Sequence, residues 1–340
     1  MKHFTHLKEY SSEELMAMVD DALVLKSSPP SDRPLAGQSL AFCFMNPSLR
    51  TQVSMEVAAN SLGGHAMTLA LGSATWKMEF EDGAVMDGQA AEHLKEAVPV
   101  LSRYCQVLAL RSFPAGESWA QDKLEPYLSA FRKYATVPVI NLESATGHPC
   151  QALADAMTIR ERMQPQGKNF LLTWAPHIKG LPMAVPNSAA EIAAAAGMNV
   201  TIARPEGFDL DPEVMKSVRA RCLEQGSRLT ITENPSKAYE GAHVVYAKSW
   251  GSIKDYGKPL PSDLAFRAKW MVTPDKMKKT EKAVFMHCLP VRRNLVVRDE
   301  VLDGPWSVVV DQAENRLHTA KAVLLKLLSP SKGKTAARRH

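Results

Sequence analysis

The sequence predicts an α/β protein made of two doubly wound parallel sheets, and three observations carry that expectation. At 340 residues the chain is long for a single core, so two domains are the default. Short apolar runs recur along it, continuous rather than alternating, as in strands buried on both faces. Segments with helical spacing separate those runs, and such alternation marks a parallel sheet.

The first run, 40–45, is Leu-Ala-Phe-Cys-Phe-Met. Asn46-Pro47 ends it in helix-start chemistry, because Asn is a good N-cap and Pro suits the first helical position. Leu49, Val53 and Val57 follow at helical spacing, and Gly63-Gly64 closes the helix. A second strand covers 65–71, and 72–89 is polar and loop-like, with Trp76 inside it. Helical spacing over 92–104, a strand at 107–112, a helix at 124–134 and a strand at 137–141 complete the first unit. A helix over 152–163 leads into a second unit, with the boundary placed near residue 150. Its strands are 170–173, 199–202, 229–231, 244–247 and 284–286, with Val308-Val309-Val310 as one more. An amphipathic helix over 313–328 follows. The stretch 174–188 carries three prolines directly after a strand, a long stiff loop for a βα connection, and such loops are where α/β folds place ligands.

Composition excludes several classes. The net charge of +5 falls to about +1 without the four basic residues of 331–340, which removes the basic surface a nucleic acid or an anionic membrane requires. The end, 329–340, reads as a disordered tail. Five cysteines, odd in number and without Cys-x-x-Cys spacing, fit neither a disulfide framework nor a cysteine zinc site and point to a reducing cytoplasm. No apolar run is long enough to span a bilayer.

Four places can carry chemistry. Ser48, Leu49, Arg50 and Thr51 occupy a first helical turn, whose free N–H groups, hydroxyls and guanidinium suit a phosphate-like anion. Read alone, the same residues are an ordinary capped helix with a surface arginine. Arg111 closes a buried strand, where open sheets bind ligands. His148-Pro149-Cys150-Gln151 stands between a strand and a helix, and His287-Cys288-Leu289-Pro290 ends a strand and precedes Arg292-Arg293. Taken singly, the first is a capping histidine and the second a strand end with a buried cysteine.

In that order, Phe44-Met-Asn-Pro-Ser-Leu-Arg-Thr51, His148-Pro-Cys-Gln151 and His287-Cys-Leu-Pro290 resemble the carbamoyltransferases, over nearly the whole chain from about 38 to 328. The acidic loop and Ser-Met-Gly motif of ordinary ornithine carbamoyltransferase are missing. Trp76, Met86-Asp-Gly88, Glu143, the proline-rich loop, Tyr246-Ala-Lys-Ser-Trp250 and Glu314-Asn-Arg316 resemble instead the branch acting on N-acylated ornithine.

The resemblance implies a carbamoyl-phosphate-binding domain over 1–150, completed by the helix at 313–328, and an N-acylornithine-binding domain over 151–312. It implies that Ser48, Leu49, Arg50, Thr51 and Arg111 hold the phosphate, with Trp76 reaching the site of a neighbouring subunit in a homotrimer. His148, Pro149, Cys150, Gln151, Cys288, Leu289 and Arg316 complete the carbamoyl phosphate site, with Arg111, His148, Gln151, Cys288 and Arg316 as the catalytic group. Glu143, His177, Lys248, Leu289 and Arg292 contact the acylated amino acid. Electrostatic stabilisation of a tetrahedral oxyanion requires neither metal nor organic cofactor, and no protein nucleophile. The proline-rich loop is threaded by later chain into a knot in this branch.

Two departures bear on the acyl group. The acetyl enzymes resembled carry Glu, and the succinyl enzymes Pro, where this chain has Ala91; a Glu there repels a succinyl carboxylate and fills its volume. A lysine of the acetyl enzymes that can be carboxylated is Val296 here. Both point to N-succinylornithine, with N-acetylornithine as the alternative and a silent anion-binding subunit as a distant one. A third departure, Gln52 in place of the usual arginine, lies beyond the first turn and implies altered packing or subunit contact.

Overall fold

The structure, a computed structural model, describes residues 2–328; the tail expected over 329–340 lies outside the described residues. A capping box opens the first helix, α1 (Ser12–Ser27): the Ser11 hydroxyl accepts from the Glu14 N–H at 3.1 Å, and the Glu14 carboxylate accepts from the Ser11 N–H at 3.0 Å. The expected element order omits α1, although Ser11-x-x-Glu14 is its sequence signature. Then come β1 (Ser39–Phe44), α2 (Leu49–Ser61), β2 (His65–Ala70), a short ribbon of β3 (Lys77–Glu79) and β4 (Ala90–His93), α3 (Leu94–Tyr104) and β5 (Val107–Arg111). Helices α4 (Trp119–Asp122) and α5 (Pro126–Tyr134) precede β6 (Val139–Glu143), and α6 (Pro149–Arg162) leads away from this first sheet.

The second unit runs β7 (Asn169–Trp174), α7 (Ala184–Ala195), β8 (Asn199–Ala203), α8 (Pro212–Glu224), β9 (Leu229–Thr232), α9 (Pro235–Ala238) and β10 (Val244–Lys248). It continues through α10 (Leu264–Trp270), α11 (Pro274–Met277), β11 (Val284–Met286) and α12 (Asp299–Leu302) to the long α13 (Val309–Leu328). Both sheets are parallel, ordered β2-β1-β5-β6 and β11-β10-β7-β8-β9. Helix α13 returns to pack on α6, α2 and α1, and α6 and α7 pack together.

Burial on both faces explains the continuous apolar runs. Along β1, Leu40 and Phe42 enter one core cluster while Ala41 and Cys43 enter another on the opposite face. A third cluster surrounds the second sheet and includes Trp174, Tyr246 and Trp250.

Each sheet has one point where its strand order reverses. In the first it lies between β1 and β5, paired at Phe44 and Arg111; in the second between β7 and β10, paired at Trp174 and Lys248. The crevice beyond such a point is where open α/β sheets bind ligands.

Four local expectations differ from the structure. Asn46 does not cap α2: its carboxamide accepts from the Phe113 N–H at 2.7 Å, and Ser48 is the N-cap, with its hydroxyl accepting from the Thr51 N–H at 3.3 Å. The stretch 72–89 is not wholly loop, since β3 pairs with β4 across it. The proline-rich loop spans only 175–183, because α7 already includes Pro186, whose missing N–H falls in the first turn, where no intrahelical partner exists. Finally, Val308-Val309-Val310 is not a strand. The β-branched run resembles one, but only Ser307 makes an isolated bridge to Phe285, and the helix begins at Val309.

Candidate active site

The two switch points open into one cavity of about 700 Å³. Its wall is built first from the start of α2. Pro47, Ser48, Leu49, Arg50 and Thr51 line it, and the α2 first turn presents its N–H groups there. Arg111, Glu143 and Lys248 come from the last residues of β5, β6 and β10, and Cys288, Leu289 and Arg292 from the loop after β11. Six cations line the cavity (Arg50, Arg111, Lys179, Lys248, Arg292 and Arg316) against one carboxylate, Glu143. That imbalance suits a dianion.

Arg316 sits at the centre, buried on α13. Its guanidinium donates to Thr51 Oγ1 at 2.8 Å, to Gln151 Oε1 at 2.7 Å and to His148 Nε2 at 3.2 Å. One side chain thus ties together the starts of α2 and α6. His148 heads α6 without capping it by its side chain; its backbone N–H donates to Ser188 Oγ at 2.8 Å. Burial first, then the charges of Arg316, Arg111 and Lys248, hold the His148 imidazole well below its ordinary range, so it is neutral at physiological pH.

Arg111 is clamped by a hydrogen-bonded ion pair with Glu143 and lies 4.4 Å from the Phe113 ring centroid. Glu143 also stands 3.7 Å from His148 Nε2. The carboxylate expected to meet the amino-acid substrate is therefore engaged with the arginine expected to meet the phosphate. Gln151 continues inward, donating from Nε2 to Asp155 at 2.8 Å. Burial pushes the Asp155 carboxyl up to about 7, against the bonds it accepts from Gln151 and Gln312.

The loop after β11 is fixed through its backbone. Leu289 has φ +57°, uncommon for a leucine, and its N–H donates to His287 Nδ1 at 2.9 Å. The Leu289 N–H is thereby engaged within its own loop. Burial raises the Cys288 thiol, which keeps it protonated. At the mouth, His177 and Arg292 meet, with Arg292 Nε donating to His177 Nε2 at 3.1 Å.

Other expected residues lie apart from this cavity. Pro149 and Cys150 are buried under it, with the Cys150 thiol donating to the Asn141 carbonyl at 3.6 Å. Trp76 and Ala91 lie on or beside the β3–β4 ribbon; Trp76 is 56% exposed and donates to Glu92 at 2.7 Å. Val296 is buried in the second core, and Gln52 bonds along its own helix to Glu56 at 3.2 Å. Sequence reasoning missed Lys179, Phe113, Leu181, Pro182 and Val185 as lining residues. All but Phe113 lie in the proline-rich stretch already marked as a place for ligands, and Lys179 adds a lone cation there.

Comparison with known proteins fits this geometry. Residues 2–161 match the aspartate/ornithine carbamoyltransferase carbamoyl-P binding domain, and 183–327 match the Asp/Orn binding domain of the same family. The chain belongs to the aspartate/ornithine carbamoyltransferase family and is a carbamoyltransferase. It falls within the N-acylornithine branch. It is 41% identical to N-acetylornithine carbamoyltransferase of Xanthomonas axonopodis pv. citri, over 97% of each chain. It is 39% identical to N-succinylornithine carbamoyltransferase of Bacteroides thetaiotaomicron, over 86% of this chain and 87% of that protein. A crystal structure of a glutamate-to-alanine variant of N-acetyl-L-ornithine transcarbamylase, complexed with carbamyl phosphate and N-succinyl-L-norvaline, superposes with a TM-score of 0.91. The identity to it is 40%, over 96% of this chain and 100% of that one. No helix among the described residues is long and apolar enough to cross a membrane.

Proposed function

We propose that this enzyme transfers the carbamoyl group of carbamoyl phosphate to the δ-amine of N-succinyl-L-ornithine, giving N-succinyl-L-citrulline and phosphate in arginine biosynthesis. The observation that carries the transfer is the cationic cradle around Arg316, at the meeting of two sheet switch points. The phosphate takes the N–H groups at the start of α2 together with Arg50 and Arg111. The carbamoyl group lies between Arg111, His148, Arg316 and Gln151 on one side and the Cys288–Leu289 main chain on the other. Its oxygen meets donors, and its amide hydrogens meet the acceptors Gln151 Oε1 and the Leu289 carbonyl.

The neutral δ-amine attacks the carbamoyl carbon, and the charge that gathers on oxygen is met by donors already in place. The bond from carbon to the bridging oxygen then breaks, phosphate departs with its electron pair, and the amine's surplus proton leaves with it. Cys288, held as a thiol, shapes the site without attacking. Lys248 and Arg292 pair with the two carboxylates of the acylated amino acid, with His177 and Glu143 beside them.

Ala91 favours the succinyl group, because a short apolar side chain neither repels the second carboxylate nor fills its space. The related transcarbamylase whose glutamate is replaced by alanine was crystallised with a succinyl ligand, which supports the same reading. Val296, buried and apolar, offers no lysine for carboxylation. The exposure of Trp76 on the ribbon supports a homotrimer in which the ribbon serves a neighbour's site. Five buried, unpaired cysteines accord with a reducing cytoplasm. Threading of the proline-rich loop is part of the same proposal, supported by its close approach to 249–251, where the Gly251 N–H donates to the Leu181 carbonyl at 3.3 Å.

Phosphate release is the test, with carbamoyl phosphate and, in parallel, N-succinylornithine, N-acetylornithine and ornithine. Turnover with the succinyl compound alone is the expected result. Preference for the acetyl compound, the alternative kept open by 41% identity to an N-acetylornithine enzyme, would show that Ala91 does not set the choice.

A further inference from the structure

Behind the carbamoyl end of the cavity, the chain buries a carboxylate that none of the steps above uses. Asp155, on α6, is 1% exposed. Its Oδ1 accepts from Gln151 Nε2 at 2.8 Å and from Gln312 Nε2, on α13, at 2.6 Å. Its Oδ2 has no hydrogen-bond partner among the described residues. The two glutamines then diverge. Gln151 Oε1 accepts from Arg316 at 2.7 Å, while Gln312 Oε1 accepts from the His287 N–H at 2.9 Å.

A primary amide has a donor end and an acceptor end of nearly the same shape, so its partners decide which way it points. An ionised carboxylate only accepts. Placed between two glutamines, it draws both NH2 groups inward and turns both oxygens outward. Reversing Gln151 would set its NH2 against the Arg316 guanidinium, donor against donor. Reversing Gln312 would leave the His287 N–H facing another donor, and His287 Nδ1 is in turn what holds the Leu289 N–H.

We propose that Asp155 is a positioning residue that sets the hydrogen-bonding polarity of both walls of the carbamoyl site. One limb runs through Gln151 to the acceptor facing the carbamoyl amide, the other through Gln312 and His287 to the Cys288–Leu289 main chain. The two limbs belong to different halves of the molecule, so a single carboxylate keeps them matched. This rests on the carbamoyl phosphate site proposed above but not on which acyl group the second substrate carries.

The test is binding by calorimetry at about pH 8, above the value near 7 to which burial pushes the carboxyl, with carbamoyl phosphate and inorganic phosphate as paired ligands. Both glutamines donate to the same oxygen, so Asp155→Leu, which keeps the volume and removes the acceptor, is the variant that frees both amides to turn. Carbamoyl phosphate affinity should fall by about tenfold or more, while phosphate, which does not reach either limb, stays within about twofold. Equal weakening of both ligands would mean a merely structural role and would overturn the inference, as would wild-type affinity for both. Gln312→Met decides if the Leu variant fails to fold. It cuts only the limb to His287 and should by itself weaken carbamoyl phosphate relative to phosphate; an unchanged ratio overturns the proposal. A wild-type chain that gains no affinity from the carbamoyl group overturns it too. Wild-type binding of carbamoyl phosphate without turnover of any acylornithine would instead refute the proposed reaction and leave this test standing.

Discussion

Replacing Arg316 by methionine strikes the cradle at its centre while keeping most of the side-chain volume. Three acceptors lose their donor: Thr51 Oγ1, Gln151 Oε1 and His148 Nε2. Hydrogen bonds to a charged group contribute about 1.5–3 kcal/mol each. Against them stands the cost of keeping a guanidinium out of water, several kcal/mol, which methionine no longer carries. The two nearly offset, so stability should change by only about 2 kcal/mol. Catalysis has no such offset. Loss of one donor aimed at a developing oxyanion typically lowers kcat by about 100- to 1000-fold, and that is the expected fall. Arg316→Lys separates charge from shape, since an ammonium keeps the charge but cannot reach three acceptors through a planar fork. The lysine variant should stay within about tenfold of the methionine one. The assay is phosphate release under saturating carbamoyl phosphate and N-succinylornithine, with chemical denaturation alongside. A lysine variant within about threefold of wild-type kcat would refute the role given to the fork, and a methionine variant retaining about a tenth of it would remove Arg316 from the chemistry.

Three further outcomes are expected. Ala91→Glu should lower kcat/KM for N-succinylornithine by about 100-fold and leave N-acetylornithine turnover within about threefold, measured side by side; equal losses on both substrates would sink the acyl-pocket reading. Trp76→Ala and Arg316→Met protomers, each weakly active alone, should recover activity on dissociation and mixed reassembly, because a hybrid pairs an intact ribbon with an intact cradle; no recovery would remove the shared site. His6 gives a pH signature. Burial lowers it, but bonds to Glu125, at 2.7 Å, and Glu9 outweigh that and raise it to about 9. A histidine raised in the folded state stabilises fully below its unfolded value of about 6.5 and loses that stabilisation as pH rises through about 9, by up to about 3 kcal/mol. Urea midpoints from pH 6 to 10 should therefore fall more steeply for wild type than for His6→Gln, and parallel curves would exclude the pair as the cause.

Much of this was visible in the residues because local patterns and burial agreed. Continuous runs such as 107–111 and 244–248 could only be strands buried twice, and both end in cations that reach the cavity. Short motifs placed the wall at the start of α2 and at the strand ends, since those positions are set within a few residues, whereas Arg316 entered only through the family resemblance. What escaped needed contacts far away in sequence. The pull of Phe113 on Asn46 moved the cap of α2 to Ser48, and packing against α6 and α1 extended α13 back through a β-branched start. Asp155 gave no sign of itself in a helix of ordinary spacing; its meaning comes from Gln312, on another helix, and that pairing exists only in three dimensions. Helix α1 carries a local signature, the capping box of Ser11 and Glu14.

Arg316 and Gln312 both belong to the last helix of the described chain, yet they bond residues at the starts of the second and sixth helices and in the middle of the sixth. Both sheets are synthesised before that helix exists, but the centre of the cradle and part of the first core, Ala320, Val323 and Leu324 among them, are still missing. During translation the enzyme stays inert until residue 328 or so has emerged and docked. Proteolytic fragments that end before α13 should likewise be less stable and blind to carbamoyl phosphate. Binding thus reports a finished molecule, and a carbamoyl phosphate affinity column would sort complete chains from truncated ones.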